Sequence, residues 1–160
     1  MKRILFAAAL IAVPTYAIAQ TAPTPATYVM KAGAGDQYEI QSSKLVLATT
    51  QNPGLKQFAT MMVSDHTKST ADVKAAAKQS KLMPKPPMLD AMGRKNIAAL
   101  KASKGTARDT LYVEQQKVAH QNALTLHQTY AASGTAPALK QVAATIAPTV
   151  QHHIEMLSSM

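Results

Sequence analysis

The chain has 160 residues, of which 47% are hydrophobic, and its formal net charge is +9 at pH 7. It contains no cysteine, which excludes disulfides, thiolate metal sites, iron–sulfur clusters and cysteine nucleophiles. The fold must therefore be held together by an apolar core.

The N-terminal residues have the composition of an export signal. Met1–Arg3 is positively charged, Ile4–Val13 is apolar, and Ala17–Ala19 has the A-x-A pattern of a cleavage site. The pattern predicts a signal peptide over residues 1–19, cleaved after Ala19, and an exported or periplasmic protein. A retained N-terminal anchor is the alternative. Cleavage would remove two basic residues and lower the net charge from +9 to +7.

The remaining chain has the length of one domain. Residues 20–27 are rich in Pro, Thr and Ala and predict a flexible lead-in, and residues 28–158 form the predicted domain. Strand-like alternation is missing, and good helix formers dominate. The predicted helices cover Tyr28–Thr50, Pro53–Lys81, Met88–Lys101, Ala107–Ala132 and Pro137–Ser158. We therefore predict an all-α, ferritin-like up-and-down four-helix bundle, with the short helix in the second-to-third crossover.

Basic residues are concentrated in and around this crossover. Asp90 is the one acidic residue among eight basic ones, which are Lys74, Lys78, Lys81, Lys85, Arg94, Lys95, Lys101 and Lys104. Such a patch favours an anionic partner, for example an envelope surface. A nucleic-acid partner is not expected, because export removes most targets and the patch lacks interleaved aromatic residues. The alternative is a solvated basic face without a partner.

Three histidines fall close to the apolar stripes of three different predicted helices: His66, His120 and His153. Glu39, His66 and His120 lie near the midpoints of their predicted helices, whereas His153 lies about a turn and a half past the midpoint of the last one. In an up-and-down bundle, the midpoints of the helices lie at about the same height along the bundle axis. The sequence therefore predicts that these four residues face one another in the core.

A cluster of imidazoles and one carboxylate suits a single zinc, iron or copper ion. We take Asp65, Tyr112 and Gln116 as residues that would surround the ligands, with Asp65 orienting an imidazole. A di-iron centre is excluded, because the mature chain has no Glu-x-x-His pair. The alternative is a structural network in which the histidines bond one another, Gln116 or the backbone.

Four stretches of the chain carry a resemblance to a known family: Tyr38–Val46, Asn52–His66, Tyr112–Leu124 and Pro148–Met156. They resemble exported bacterial ferritin-like proteins described as a domain of unknown function or as predicted outer membrane proteins. The resemblance implies a helical bundle in the cell envelope with no established reaction. The family's recurrent polar residues correspond to Glu39, Asp65, His66, Gln116, His120 and His153.

Two functional hypotheses remain open. The first is an exported bundle that binds one metal ion through Glu39, His66, His120 and His153. The second is a non-enzymatic envelope protein whose histidines are structural and whose basic end binds anionic surfaces or partners. The methionines also allow a Cu(I) thioether site, although methionine more often fills a core. No hydrolase elbow, P-loop or dinucleotide motif predicts catalysis.

Overall fold

The computed structural model describes residues 21–160, so the predicted signal peptide and its cleavage site lie outside the described residues. The first helix starts earlier than the sequence predicts. The Thr24 side chain accepts a hydrogen bond from the backbone N–H of Thr27, and Pro25 occupies the first turn, where its missing N–H is harmless. The last three residues of the predicted lead-in are therefore helical.

Five helices follow one another along the described chain. They are α1 (Pro25–Leu47), α2 (Pro53–Gln79), α3 (Ala91–Ala102), α4 (Gly105–Ser133) and α5 (Pro137–Ser158). This all-helical architecture confirms the predicted ferritin-like bundle with a short helix in the second-to-third crossover. None of the described helices is long and apolar enough to cross a membrane.

The four long helices form two hairpins, α1 with α2 and α4 with α5, and the hairpins pack through α1 against α4 and α2 against α5. Tyr28, near the start of α1, bonds His127 near the end of α4, and Ser43 bonds Tyr112 at the other end. Neighbouring helices α1 and α4 are therefore antiparallel. The crossover, residues 80–104, returns the chain along the bundle and places α3 against α1 and α4.

The end of α2 directs the chain into this crossover. Lys81 has a φ of 58°, and the backbone N–H groups of Lys81 and Leu82 donate to the carbonyls of Lys78 and Ala77. This is the Schellman arrangement, in which a left-handed residue satisfies the last carbonyls of a helix. Leu82 then packs against the core. The chain leaves α2 as an extended, proline-rich segment.

The core consists of two apolar clusters separated by a polar layer. One cluster contains Tyr28, Val73, Tyr130 and Ile146, and the other contains Phe58, Met62, Tyr112 and Leu157. Each long helix contributes to both clusters and carries buried polar residues between the two contributions. Those nearest the middle of the helices are Asp36, Glu39, Ser42, His66, Ser69, Gln116, His120 and His153. The polar layer therefore crosses the middle of the bundle.

Candidate metal centre

The three histidines predicted from the sequence meet in the polar layer. Their ring centroids lie 5.7 Å apart for His66–His120, 5.7 Å for His66–His153 and 5.3 Å for His120–His153. Each ring offers one nitrogen such that all three nitrogens lie within 4.8 Å of one another. All three residues are buried. Three helices thus bring three imidazoles to one point inside the bundle.

One nitrogen of each ring is fixed by an acceptor. His66 Nδ1 donates to Asp36 Oδ1 at 2.8 Å, His120 Nδ1 to the Gln116 carbonyl at 2.9 Å, and His153 Nε2 to Asp65 Oδ2 at 3.1 Å. A carbonyl or a carboxylate can only accept, so these ring nitrogens must carry the proton. The other nitrogen of each neutral ring therefore carries a lone pair.

The second nitrogen of each ring has no hydrogen-bond partner among the described residues. These atoms are His66 Nε2, His120 Nε2 and His153 Nδ1, and all three are buried. Buried polar atoms normally find partners, and three exceptions at one place require an explanation. A metal ion about 2.0–2.1 Å from each nitrogen would supply one. Hydrogen bonds that hold the opposite side of each ring are the usual support of metal-binding histidines.

Asp36 bonds one of the clustered histidines, and the sequence prediction did not select it. Besides binding His66, its Oδ2 accepts a hydrogen bond from Thr70 Oγ1 at 2.9 Å, so α2 holds the carboxylate from two sides. The available signal was an aspartate lying on the apolar stripe of α1. Asp65 was expected to orient an imidazole from another helix, and its partner is His153 of α5.

Glu39 lies beside the histidines, on the side of the His120 ring that carries Nδ1. Its Oε1 is 3.8 Å from His120 Nδ1, the nitrogen that already donates to Gln116, and its Oε2 has no partner among residues 21–160. The three-nitrogen cluster does not include it. Glu39 is therefore placed as a close carboxylate neighbour of the histidine cluster.

Gln116 and Tyr112 occupy different positions relative to the histidines. Gln116 contacts His120 through its backbone carbonyl and donates from its side chain to Ser42 Oγ at 3.2 Å. The Tyr112 hydroxyl instead pairs with Ser43 Oγ at 2.7 Å, and its ring packs edge-on against Phe58. Gln116 therefore supports the histidine cluster directly, whereas Tyr112 belongs to the adjoining apolar cluster.

Burial keeps two of the imidazoles neutral. It lowers the pKa of His120 to about 3, with a further lowering by the charge of His66, and it lowers the pKa of His153 despite the Asp65 carboxylate. Burial also lowers the pKa of His66, but the Asp36 hydrogen bond and the Glu39, Asp36 and Asp65 charges outweigh it and leave that pKa raised. Neutral imidazole is the form that binds metal ions.

The pKa of Glu39 is raised to about 7, chiefly because burial disfavours its charged form, and His66 opposes part of this rise. His120 has no corresponding influence although it is the nearer ring, since it is neutral. The 3.8 Å approach of Glu39 to His120 is therefore not an ion pair. A cation placed among the three rings would remove this cost of a buried carboxylate.

A fourth buried histidine lies outside the cluster. His127 Nδ1 is 3.0 Å from the Tyr28 hydroxyl, and the Tyr28 ring stacks on Tyr130 with centroids 4.0 Å apart. Burial lowers the pKa of His127 to about 4. The three-nitrogen cluster does not contain His127.

The eight basic residues of the predicted patch are all exposed. They follow the end of α2, the crossover and α3, and so extend along the bundle. Two of them, Lys74 and Lys85, line a groove of about 1810 Å³ that also reaches Asp36, Glu39 and His66. The groove connects the crossover side of the bundle with the edge of the polar layer.

Solved structures with the same fold are similar in overall shape at low sequence identity. A DUF305 fragment from Deinococcus radiodurans matches with a TM-score of 0.74 and 13% identity, covering 87% of this chain and 95% of that chain. A DUF305 protein from Streptomyces coelicolor, described as secreted, matches with a TM-score of 0.70 and 12% identity, covering 84% and 88%. CopM in its Cu(II)-bound form matches with a TM-score of 0.73 and 17% identity, covering 87% and 96%.

These likenesses establish the fold and do not assign a ligand. No curated protein matches the chain in sequence. Residues 12–160, which include the whole bundle and the histidine cluster, match the model of a family described as a domain of unknown function. The chain therefore belongs to the DUF4142 family.

Proposed function

We propose that this protein is an exported, non-enzymatic bundle that binds one divalent transition-metal ion through His66, His120 and His153. The observation that carries the proposal is the set of three buried ring nitrogens without partners, on rings whose other nitrogens are fixed. Three imidazoles, each of which binds a metal ion in its neutral form, are a donor set that zinc and copper favour. Export is supported by the N-terminal sequence and by the similar secreted DUF305 protein.

Glu39 has a separate part in this proposal. The sequence suggested it as a fourth ligand, and its position beside His120 suits a carboxylate that balances the charge of the ion. Asp36 and Asp65 do the same through His66 and His153. Three carboxylates around a buried dication make its burial electrostatically acceptable.

Copper(II) is the first ion to test. It forms more stable complexes than zinc with nitrogen ligands, and the similar fold of CopM is described with Cu(II) bound. Zinc and iron are the competing ions. We expect one equivalent of Cu(II) per chain, with the spectroscopic signature of nitrogen coordination in electron paramagnetic resonance.

The experiment uses the chain from Gln20 to Met160 without a histidine tag, stripped with a chelator and titrated with Cu(II), Zn(II) and Fe(II). His66→Gln, His120→Gln and His153→Gln are each expected to abolish stoichiometric uptake. His152→Gln is the matched control, because His152 neighbours His153 but is exposed. No uptake by the unmodified chain, or equal uptake by the three variants, would refute the proposal and leave the histidines structural.

A further inference from the structure

Four methionines are exposed to solvent on one side of the bundle. Their exposed fractions are 65% for Met30, 94% for Met83, 78% for Met88 and 63% for Met92. All four line the groove formed by α1, α4 and the crossover. Single exposed apolar residues are ordinary, but a cluster on one surface marks an interaction site.

Basic residues alternate with these methionines along the crossover. Lys81 and Lys85 flank Met83, and Arg94 and Lys95 follow Met92, all with exposed side chains. Lys31 follows Met30 on α1 and lines the same groove. We refer to these residues together as the crossover face: Met30, Lys31, Lys81, Met83, Lys85, Met88, Met92, Arg94 and Lys95.

The one acidic residue within the crossover stretch is already engaged. Asp90 Oδ1 accepts a hydrogen bond from the backbone N–H of Gly93 at 2.7 Å and caps α3. Arg94 is held over the crossover by a 2.8 Å hydrogen bond to the carbonyl of Leu89. The basic groups along residues 81–95 therefore remain available to an external anion.

This combination of exposed apolar side chains and basic groups has the chemistry of an interfacial surface. Flexible thioether side chains can enter the boundary between headgroups and acyl chains, while lysine and arginine bind anionic headgroups. A purely solvated basic face would not need four exposed methionines. A protein partner recognised by charge alone would not need them either.

We propose that the crossover face docks the protein on the surface of an anionic lipid bilayer. The methionines insert at the headgroup level and the basic residues contact lipid phosphates. The bundle then lies on the membrane without crossing it. This proposal is independent of metal binding, and it is tested on metal-free protein.

The experiment measures how the chain from Gln20 to Met160 partitions into two kinds of vesicle in the presence of a chelator. One kind contains phosphatidylcholine alone, and the other contains equal parts of phosphatidylcholine and phosphatidylglycerol. We expect binding to the anionic vesicles that weakens with salt. The variants M83S/M88S/M92S and K85Q/R94Q/K95Q should each lower the partition coefficient by on the order of tenfold or more. K56Q/K117Q and M160S change exposed residues outside the crossover face and should leave it unchanged.

Three outcomes would overturn the proposal. One is no partition into anionic vesicles. A second is an equal loss in the control and crossover-face variants, which would indicate general charge attraction. The third concerns the methionine variant, whose uptake of Ag(I) is measured as a probe for Cu(I) binding. If this variant still binds vesicles but no longer takes up Ag(I), the methionines form a thioether metal site instead of a lipid-binding surface. Circular dichroism and unfolding by urea establish that each variant is folded.

Discussion

The Nδ1 atom of His66 lies 2.8 Å from Oδ1 of Asp36, and this contact joins the midpoints of α1 and α2. The carboxylate fixes both the orientation of the ring and the nitrogen that carries its proton. Because Thr70 holds the other carboxylate oxygen, the ring cannot turn away without breaking a connected set of bonds. The other ring nitrogen of His66, Nε2, is thereby left buried and without a hydrogen-bond partner among the described residues.

Replacing Asp36 by asparagine should weaken metal binding without removing a ligand. The amide can turn its N–H₂ group toward His66 and favour the opposite tautomer, so we expect Cu(II) affinity to fall by roughly 10–100-fold. Competition against a chelator of known affinity measures the change. Asp72→Asn is the control, since Asp72 is a partly exposed partner of Lys68. An unchanged affinity in Asp36→Asn would show that metal binding does not depend on the negative charge of the Asp36 carboxylate.

Two buried histidines of α4 should respond differently to substitution. His120→Gln removes an unpartnered nitrogen of the cluster, and we expect stoichiometric metal uptake to be lost. His127→Gln changes an equally buried ring that bonds Tyr28, and uptake should remain. Elemental analysis of the two proteins measures the difference. If both variants lose metal together with helical structure, the effect is on folding, so thermal unfolding accompanies the measurement.

Glu39→Gln should stabilise the metal-free protein at alkaline pH. The folded-state pKa of Glu39 is raised to about 7 from the ordinary 4.5, so its stabilising contribution is present below pH 4.5 and is lost as the pH rises through 7. The variant does not titrate, and its stability relative to the unmodified protein should rise between pH 5 and pH 8 by about 2–3 kcal/mol.

Urea unfolding in the presence of a chelator measures this difference at both pH values. The same substitution should weaken Cu(II) binding, because it removes a carboxylate that balances the charge of the ion. A stability difference that is the same at pH 5 and pH 8 would show that the Glu39 carboxyl is not held in its neutral form.

Two glycines of α1 offer a matched test of how the crossover packs. A Cβ at Gly33 would lie 2.8 Å from Cβ of Pro87, whereas nothing lies within 4 Å of a Cβ at Gly35. Gly33→Ala should destabilise the bundle by about 1–3 kcal/mol through overpacking. Gly35→Ala should stabilise it by about 0.5–1 kcal/mol, as alanine does within helices. Urea denaturation compares them, and equal effects would place the crossover away from α1.

The fold was predictable because its helices carry clear signals at their ends. Pro53 and Pro137 start two helices where the sequence predicts. The start of α1 was predicted three residues too late, because the cap formed by Thr24 was interpreted as part of a flexible lead-in. The predicted end of the helix, Thr50, also lay three residues past the observed end, Leu47, so the apparent midpoint of α1 moved from Asp36 to Glu39. The carboxylate that binds His66 was missed for this reason.

The convergence of the histidines was only partly predictable. His153 was expected a turn and a half off level, yet its ring lies 5.3 Å from that of His120. The reason is that α5 ends at Ser158, soon after His153, while its partners extend further at that end of the bundle. Which acceptor fixes each ring depends on contacts between helices, and a spacing rule within one helix carries no information about them.

The three imidazoles come from both hairpins, His66 from the first and His120 and His153 from the second. An ion bound by all three would join segments that are distant in sequence and would act as a removable cross-link in a chain that has no disulfide. Its effect on unfolding would grow with the free ion concentration. The free energy of unfolding would then depend on the concentration of free metal ion around the protein.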